Sequence, residues 1–269
     1  MLKTFYPIQT SFSILDYFCQ STTFDDNSFV DDLQIEPEEY EVKTDIILIA
    51  KWQQKNKSAI CLCFDDYYES WDLIIDRYED VIFNFFISGN LSNMDERISK
   101  MIKNGHNVGN HTQSHTHIQT INNDERESFL KNDILRQKNI IETYGVCNDS
   151  FAFPFGAFDR DWELRLQKIF KKLRRFGTTN NLPFYYSNER FKQSVIISAS
   201  SLDNTNFSTD EDFDAYCDDL IDYLVENTNT TVCLVTHGIC GDTFGIKLER
   251  LDYLISNAKK KNIAFISMQ

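Results

Sequence analysis

The chain has 269 residues, of which 42% are hydrophobic and 14% aromatic, with nine glycines and four prolines. This composition supplies one sizeable core and excludes a disordered or fibrous protein. The formal net charge of −14 leaves no surplus of basic residues for neutralising phosphates, so we expect no nucleic-acid partner.

Residues 1–57 differ in composition from the rest of the chain. Acidic and polar stretches at 23–32 and 36–41 precede an apolar run at 46–50. We interpret this region as an N-terminal extension packed on a main domain of residues 58–269. It lacks the continuous apolar core of a signal peptide. No apolar run reaches the ~20 residues that cross a bilayer, so we expect no integral membrane segment.

The cysteines indicate the cellular compartment. There are seven of them, an odd number, and their spacing matches no disulfide framework. Reduced thiols are the simpler interpretation, and they are typical of cytoplasmic proteins. We therefore expect a cytoplasmic location.

From Ala59 onward, short β-rich runs alternate with helix-like stretches. The predicted strands are 59–64, 81–87, 106–110, 151–153, 195–199, 231–236 and 263–267, with a further short one near 176–179. The predicted helices are 93–103, 124–144, 161–175, 212–227 and 247–261. Several begin with an acidic residue and end with a basic one, as the helix dipole favours. This alternation predicts a parallel α/β sheet covered by helices and closed into a barrel.

Two adjacent aspartates end the first predicted strand, Ala-Ile-Cys-Leu-Cys-Phe-Asp-Asp. An apolar strand cannot continue through two carboxylates, so Asp65 and Asp66 mark its carboxyl end. In parallel α/β barrels this is the face where active sites form. A pair of helix-capping residues has the same appearance, so the motif alone leaves both interpretations open.

Four of the five histidines lie between residues 106 and 117. His111 and His115 are four positions apart, which places both imidazoles on one face if the segment is helical. Such a pair suits a zinc ion. For His106 and His117 we favour a structural role.

Two later strand ends carry weaker signals. The sequence Phe-Ala-Phe-Pro-Phe-Gly-Ala-Phe at 151–158 indicates, by itself, a buried strand followed by a turn. His237 follows the strand 231–236, as a satisfied polar residue often does. Both nevertheless fall at strand ends, as the aspartates and the histidine pair do.

The order of these four motifs resembles the polysaccharide deacetylase family, carbohydrate esterases that include chitin and peptidoglycan deacetylases. Residues 105–115 are very similar to that family's Gly-His-x-x-Gly-Asn-His-Thr segment. The resemblance covers about 59–267 and implies a distorted (β/α) barrel of about seven strands. It also implies hydrolysis of an acetyl group from an N-acetylated sugar or polysaccharide precursor, so we expect a carbohydrate substrate. The reaction would require a divalent metal ion, with zinc preferred over the other transition metals.

The resemblance further implies roles for individual residues. Asp66, His111 and His115 would bind the metal. Asp65 would be the general base, and His237 the general acid that protonates the leaving amine.

The substrate contacts implied by the resemblance lie near two strand ends. A backbone N–H near Phe155 or Gly156, just after Pro154, would stabilise the oxyanion. Leu234 would shape the acetyl pocket. Nearby aromatic residues are weaker candidates for sugar stacking, because core packing explains them at least as well: Tyr67, Tyr68, Trp71 and Phe158.

A second Phe-Asp-Asp sequence competes with the first. Thr23 to Asp26 matches the family's Thr-Phe-Asp-Asp motif in every letter, whereas Cys63 replaces the threonine before Asp65. No apolar strand precedes Thr23, and Asp66 is separated from His111 by close to the usual family interval. We therefore assign the site to the later pair.

Some positions depart from the family pattern. Ala152 stands where many members have an arginine that orients the catalytic aspartate, and Gly238 where an aspartate is frequent. The aspartate that tunes the catalytic histidine is not evident, although Asp203 is a candidate. Two alternatives therefore stay open: a metal-dependent amidohydrolase acting on a small non-sugar amide, and a non-catalytic carbohydrate-binding relative.

Overall fold

A computed structural model of the chain describes residues 57–269, apart from 79, 90, 92–94, 178–182 and 242. The predicted N-terminal extension, except for its last residue, lies outside these ranges, as does the second Phe-Asp-Asp sequence at 24–26. The boundary between extension and main domain therefore stays a prediction.

The described residues form eleven strands. These are β1 (Ala59–Asp66), β2 (Phe83–Ile87), β3 (Asn107–Asn110), β4 (Ser150–Ala152), β5 (Lys172–Phe176), β6 (Tyr185–Ser187), β7 (Ile196–Ser201), β8 (Thr230–Thr236), β9 (Gly238–Ile239), β10 (Gly245–Ile246) and β11 (Ala264–Phe265). The α-helices are α1 (Asp95–Lys103), α2 (Arg126–Phe129), α3 (Leu135–Glu142), α4 (Arg160–Leu166), α5 (Asn188–Gln193), α6 (Asp210–Glu226) and α7 (Leu248–Lys260). A single π-helical turn, Leu130–Ile134, joins α2 to α3.

Seven parallel strands close into a barrel in the order β1, β2, β3, β4, β5, β7 and β8. The closing seam is the pairing of β8 with β1, in which Cys61 lies opposite Cys233. Strand β6 adds to β8 in the antiparallel direction, and β11 pairs with the start of β1. The predicted seven-stranded α/β barrel is confirmed.

Side chains alternate between two cores, as the period of a strand requires. Outward residues such as Phe64 and Leu234 pack against the helices. Several inward positions carry small or sulfur-containing side chains, among them Cys63, Ala152 and Ala199, beside larger ones such as Phe86. Small residues suit the narrow interior of a barrel with so few strands.

The prediction of one helix over 161–175 is wrong in its second half. Helix α4 ends at Leu166, and β5 begins at Lys172. The basic run 171–175 has the composition of a helix end, but Lys172 and Arg174 are buried. The Nζ atom of Lys172 donates to three carbonyl groups at 2.7–2.8 Å, so its charge is solvated within the protein. The strand predicted near 176–179 is therefore displaced toward the N-terminus.

Helix α6 begins with a reciprocal pair of capping hydrogen bonds. The hydroxyl of Thr209 accepts from the amide of Asp212 at 3.1 Å, and the Asp212 carboxylate accepts from the Thr209 amide at 3.0 Å. This reciprocal capping stabilises a helix by about 1 kcal/mol. Among the described residues, none of the helices combines the length and apolarity needed to span a bilayer.

Candidate active site

Two neighbouring carboxylates meet at the mouth of the barrel because β1 ends in an unusual backbone conformation. Successive side chains of a strand point to opposite faces, so Asp65 and Asp66 would ordinarily diverge. Asp66 has a φ of 78°, in the left-handed region that aspartate tolerates better than most residues. Their carboxylates consequently lie 3.8 Å and 3.4 Å from one atom, Nε2 of His111.

The two histidines that follow β3 converge through a loop. Residues 111–117 are non-helical, so the helical arrangement considered for this spacing does not occur. Instead Thr112 and His115 have left-handed backbones, with φ of 61° and 52°. The imidazole rings of His111 and His115 lie 5.0 Å apart between centroids.

The π-helical turn between α2 and α3 holds this loop in place. Its Asp133 carboxylate accepts from the amides of Gln113 at 2.7 Å and Ser114 at 3.0 Å. The side-chain amide of Asn110 donates to the carbonyl of Ile134 at 2.9 Å. Turns of this kind are frequent at functional sites. Sequence reasoning missed Asp133, because nothing in a helical pattern marks which aspartate faces a distant loop.

Three ligand atoms face one another at the centre of the site. Oδ1 of Asp66 lies 2.9 Å from Nε2 of His115 and 3.4 Å from Nε2 of His111. This oxygen is buried, yet none of its contacts has hydrogen-bond geometry. Burial alone would raise the pKa of the Asp66 carboxyl, but the two imidazoles hold it well below its usual range. A carboxylate and two imidazoles converging in this way fit a divalent cation.

The tautomer of His111 suits that arrangement. Its Nδ1 donates to the carbonyl of Ala152 at 2.8 Å, which leaves the lone pair of Nε2 directed at the site. Histidines that bind metals are usually oriented by such a bond. Ala152 therefore contributes through its backbone.

Arg174 supplies the guanidinium group that position 152 lacks. Its Nη2 binds Oδ2 of Asp65, and both side chains are almost completely buried. Arg174 on β5 is the register partner of Ala152 on β4, so the two residues lie at the same height in the barrel on neighbouring strands. Oδ1 of Asp65 is buried and has no hydrogen-bond partner within the described part of the chain. The sequence analysis missed Arg174 because it placed this residue in a helix predicted over 161–175, where an arginine near the end is expected to be exposed. The signal that could have identified it was the absence of the family's arginine at position 152.

His237 is paired with Asp203, the candidate partner identified in the sequence. Nδ1 of His237 donates to the Asp203 carboxylate at 2.9 Å and 3.1 Å, and the hydroxyl of Thr236 donates to the same group at 2.9 Å. Burial alone would lower the pKa of His237, but the Asp203 hydrogen bond and the charges of Asp65 and Asp66 outweigh burial and raise it. The imidazole is thus able to carry a proton on Nε2.

A cavity of about 550 Å³ opens between these groups. Asp66, His115 and His237 line it, together with Tyr68 and Phe155. Burial and the charge of Asp66 raise the pKa of Tyr68 to about 12, so its hydroxyl stays a donor, 3.4 Å from Oδ2 of Asp66.

Of the four residues predicted to contact the substrate, some lie at the cavity and others do not. Pro154 is buried, and the amide of Gly156 is engaged by the carbonyl of Phe153 at 2.9 Å, so of the predicted turn only Phe155 reaches the cavity. Leu234 packs among the helices outside the barrel, so its predicted place in an acetyl pocket is wrong. Alternation along β8 turns Cys233 and Val235 inward instead.

The other aromatic candidates are occupied elsewhere. Trp71 is fully buried and donates through Nε1 to the carbonyl of His237 at 2.8 Å, so it supports the site without lining it. Phe158 lies under the guanidinium of Arg175, 4.0 Å away. Tyr67 packs against Arg97. Only Tyr68 of these four lines the cavity.

His106 has the structural role expected of it. Its Nδ1 accepts from the amide of Phe83 at 3.2 Å, and its Nε2 donates to the carbonyl of Ile75 at 3.0 Å. Burial lowers the pKa of His106, which favours this neutral form. His117 stacks on Phe155 at the edge of the site, with ring centroids 5.4 Å apart.

Residues 53–171 match the family model described as polysaccharide deacetylase. The match contains β1 through β4 and both the aspartate and the histidine motifs. Over these 119 of 269 residues the sequence is similar to the polysaccharide deacetylase family. The match to the family ends just before β5, so Arg174, Asp203 and His237 lie beyond it. No curated protein matches the chain.

Solved structures share the deacetylase-family barrel. One is the Xyl-CE4 domain of a multidomain xylanase from the hindgut metagenome of Trinervitermes trinervoides, with a TM-score of 0.52 and 16% identity over 79% of this chain and 87% of that one. A family 4 carbohydrate esterase from Streptomyces lividans, in complex with acetate, has a TM-score of 0.52 and 14% identity over 78% and 92%. A peptidoglycan N-acetylglucosamine deacetylase catalytic domain from Eubacterium rectale has 0.50 and 15% over 80% and 89%. At these identities the likeness establishes the fold.

Proposed function

We propose that this protein hydrolyses an acetyl group from an N-acetylated sugar or polysaccharide precursor in a metal-dependent reaction. One observation carries the proposal: ligand atoms of Asp66, His111 and His115 converge at a cavity that His237 also lines, and Oδ1 of Asp66 has no hydrogen-bond partner among the described residues. The match of residues 53–171 to the polysaccharide deacetylase family supports the carbohydrate substrate.

Asp66, His111 and His115 would hold the cation, and zinc suits one carboxylate with two imidazoles. When bound, such a cation polarises an acetyl carbonyl and lowers the pKa of a water molecule to roughly 7. The residues around it then divide the proton transfers between them.

Asp65 would take the proton from the attacking water. Arg174 engages its Oδ2, so Oδ1 is the oxygen that is left to receive the proton. A general base must lie within hydrogen-bond reach of its proton, and fixing one carboxylate oxygen orients the other. The amide of Phe155 would stabilise the oxyanion from the wall of the cavity.

His237 would protonate the leaving amine through Nε2, since Nδ1 is held by Asp203. Burial alone would lower the pKa of this imidazole, but Asp203 raises it above its usual value and so favours the form that carries the proton. The guanidinium of Arg174 also weakens the case for a non-catalytic relative, which rested on the missing arginine at position 152.

Acetate release from N-acetylhexosamine oligomers, measured beside release from simple acylated amines, tests the proposal. We expect turnover of the oligomers. Turnover of the amines alone would contradict the carbohydrate substrate and favour a small-amide hydrolase. Absence of turnover on every substrate by zinc-loaded protein would favour a carbohydrate-binding protein.

Variants separate the roles. We expect Asp65→Asn and His237→Ala to keep the metal at this site and lose turnover, whereas His111→Ala loses both the metal at this site and turnover. Asp25→Asn, in the competing sequence, is the matched control and should behave as the unchanged protein. Unchanged turnover in Asp65→Asn would overturn the assignment of the base.

A further inference from the structure

Three cysteines meet in the interior of the barrel, apart from the site described above. Cys61 and Cys63 come from β1 and Cys233 from β8, and all three are completely buried. Their sulfur atoms lie within 4.8 Å of one another, and those of Cys63 and Cys233 are 3.7 Å apart. They therefore span the seam at which the barrel closes.

We propose that Cys61, Cys63 and Cys233 form a second metal site, which binds one thiophilic cation of the zinc or copper(I) class across this seam. Thiolate sulfur selects such cations, whereas harder ions prefer oxygen. The site is distinct in chemistry from the carboxylate and imidazole donors at the mouth.

The spacing of the sulfur atoms supports the assignment. A zinc–sulfur bond is about 2.3 Å, so two thiolates on one tetrahedral zinc lie about 3.8 Å apart. The distance between the sulfur atoms of Cys63 and Cys233 is close to that value. The sulfur of Cys61 lies within 4.8 Å of both, so it needs only a small shift to bind the same cation.

Burial raises the pKa of the Cys61 and Cys63 thiols, so their deprotonation depends on a bound cation and on nearby positive or donor groups. Nε and Nη1 of Arg174 are buried without a hydrogen-bond acceptor among the described residues, and the guanidinium charge acts on Cys63 and Cys233. The amide of Asn84 reaches the sulfur of Cys61 at 3.5 Å. Buried cationic and amide groups of this kind stabilise sulfur ligands that carry negative charge. Three thiolates with a divalent cation carry one excess negative charge, which the guanidinium of Arg174, already paired with Asp65, opposes only in part.

The position gives the site a structural consequence. Cys63 and Cys233 are 170 residues apart in the chain, on the first and last strands of the closed barrel. A cation that joins them removes the freedom of a long loop in the unfolded chain and so favours the folded state. It would hold together the two strands whose ends carry Asp65 and His237.

Cadmium titration of the full chain, reduced and freed of metal by chelation, tests the proposal. We expect two bound cadmium ions per chain and an ultraviolet sulfur-to-cadmium absorption. His111→Ala should lose one ion and keep the absorption. Cys233→Ala should lose the absorption and keep the other ion. Cys217→Ala, which removes a buried cysteine on α6, is the matched control and should retain both.

Absence of the absorption from the unchanged protein would overturn the site, as would its persistence in Cys233→Ala or an equal loss in Cys217→Ala. X-ray absorption at the zinc edge gives a second measurement that does not depend on a cysteine variant. Zinc-loaded His111→Ala should show sulfur neighbours at about 2.3 Å. Nitrogen and oxygen neighbours alone would contradict the proposal, whereas failure of acetate release would leave it unaffected.

Discussion

The guanidinium of Arg174 binds the carboxylate of Asp65 through the interior of the barrel. Their strands are not neighbours, since β5 pairs with β4 and β7, whereas β1 pairs with β2, β8 and β11. Because both partners are buried, removal of the arginine would leave a carboxylate charge uncompensated, at a cost of about 3–5 kcal/mol. The same contact supports the fold and orients the proposed base.

Arg174→Lys should keep the charge but lose the planar fork that fixes the carboxylate. We expect turnover to fall by about 100-fold, because small displacements of a catalytic group have effects of that size. Zinc binding by Asp66, His111 and His115 should not change, since Arg174 binds Asp65 and not these three residues. Unaltered turnover with normal zinc content would contradict the positioning role.

Moving the arginine back to β4 is a sharper experiment. Ala152 and Arg174 are register partners, so the double variant Ala152→Arg with Arg174→Ala places a guanidinium beside the space that is vacated. We expect Arg174→Ala alone to be unstable and inactive and the double variant to regain part of its turnover and melting temperature. Ala152→Arg alone is the control and should be destabilised by overpacking.

Asp203→Asn should change the pH profile on its alkaline side. The pKa of His237 is raised in the folded protein above its usual value of about 6.5. Below pH 6.5 the imidazole is therefore fully available as a proton donor, and this form is lost as the pH rises through the raised pKa. Without the carboxylate, the alkaline limb should move to lower pH by about one unit. Thr236→Val keeps the charge and removes one hydrogen bond to Asp203, so its limb should move less. An unshifted limb in Asp203→Asn would show that another group controls it.

Asp133→Ala should weaken metal binding without touching a ligand. Its carboxylate accepts from the amides of Gln113 and Ser114, between the two histidines. Loss of such an outer contact commonly costs 10–100-fold in metal affinity, and we expect about that decrease in a chelator competition. Asp149→Asn, which alters a surface pair with Lys171, is the control. Equal affinities in the two variants would contradict a role for the π-helical turn.

Gly156→Ala should disturb the turn that presents Phe155. A Cβ at this position would lie 1.6 Å from the ring of Phe176, and the backbone φ is +63°. We expect overpacking to lower the free energy of unfolding by about 1–3 kcal/mol, in addition to the strain of an alanine in the left-handed region, and we expect turnover to fall. Gly145→Ala, with a φ of +82° and no atom within 4 Å, isolates the strain alone, about 1–2 kcal/mol. Equal melting temperatures for the two variants would show that the ring of Phe176 moves aside freely.

Sequence reasoning succeeded where chemistry and strand ends coincide. An apolar run that stops at Asp65 indicates both a strand and its boundary, and repetition of that pattern predicts a closed α/β barrel, for which the family resemblance implied about seven strands. It failed for Leu234, because alternation predicts two faces but does not say which one is inside. It failed for Arg174, because a buried basic residue on a strand has the composition of an exposed helix end. Asp133 could be found only from the folded loop that it contacts.

The proposed functional groups divide along the chain. Asp66 ends β1, and His111 and His115 follow β3, whereas Arg174, Asp203 and His237 come from or follow β5, β7 and β8. A segment from β1 to β3 would thus contain every proposed ligand of the cation at the mouth of the barrel, together with Asp65, but neither the proton donor nor the arginine beside the base. Exchange of the later segment between relatives could therefore alter proton donation to the leaving group while leaving cation binding at the mouth intact.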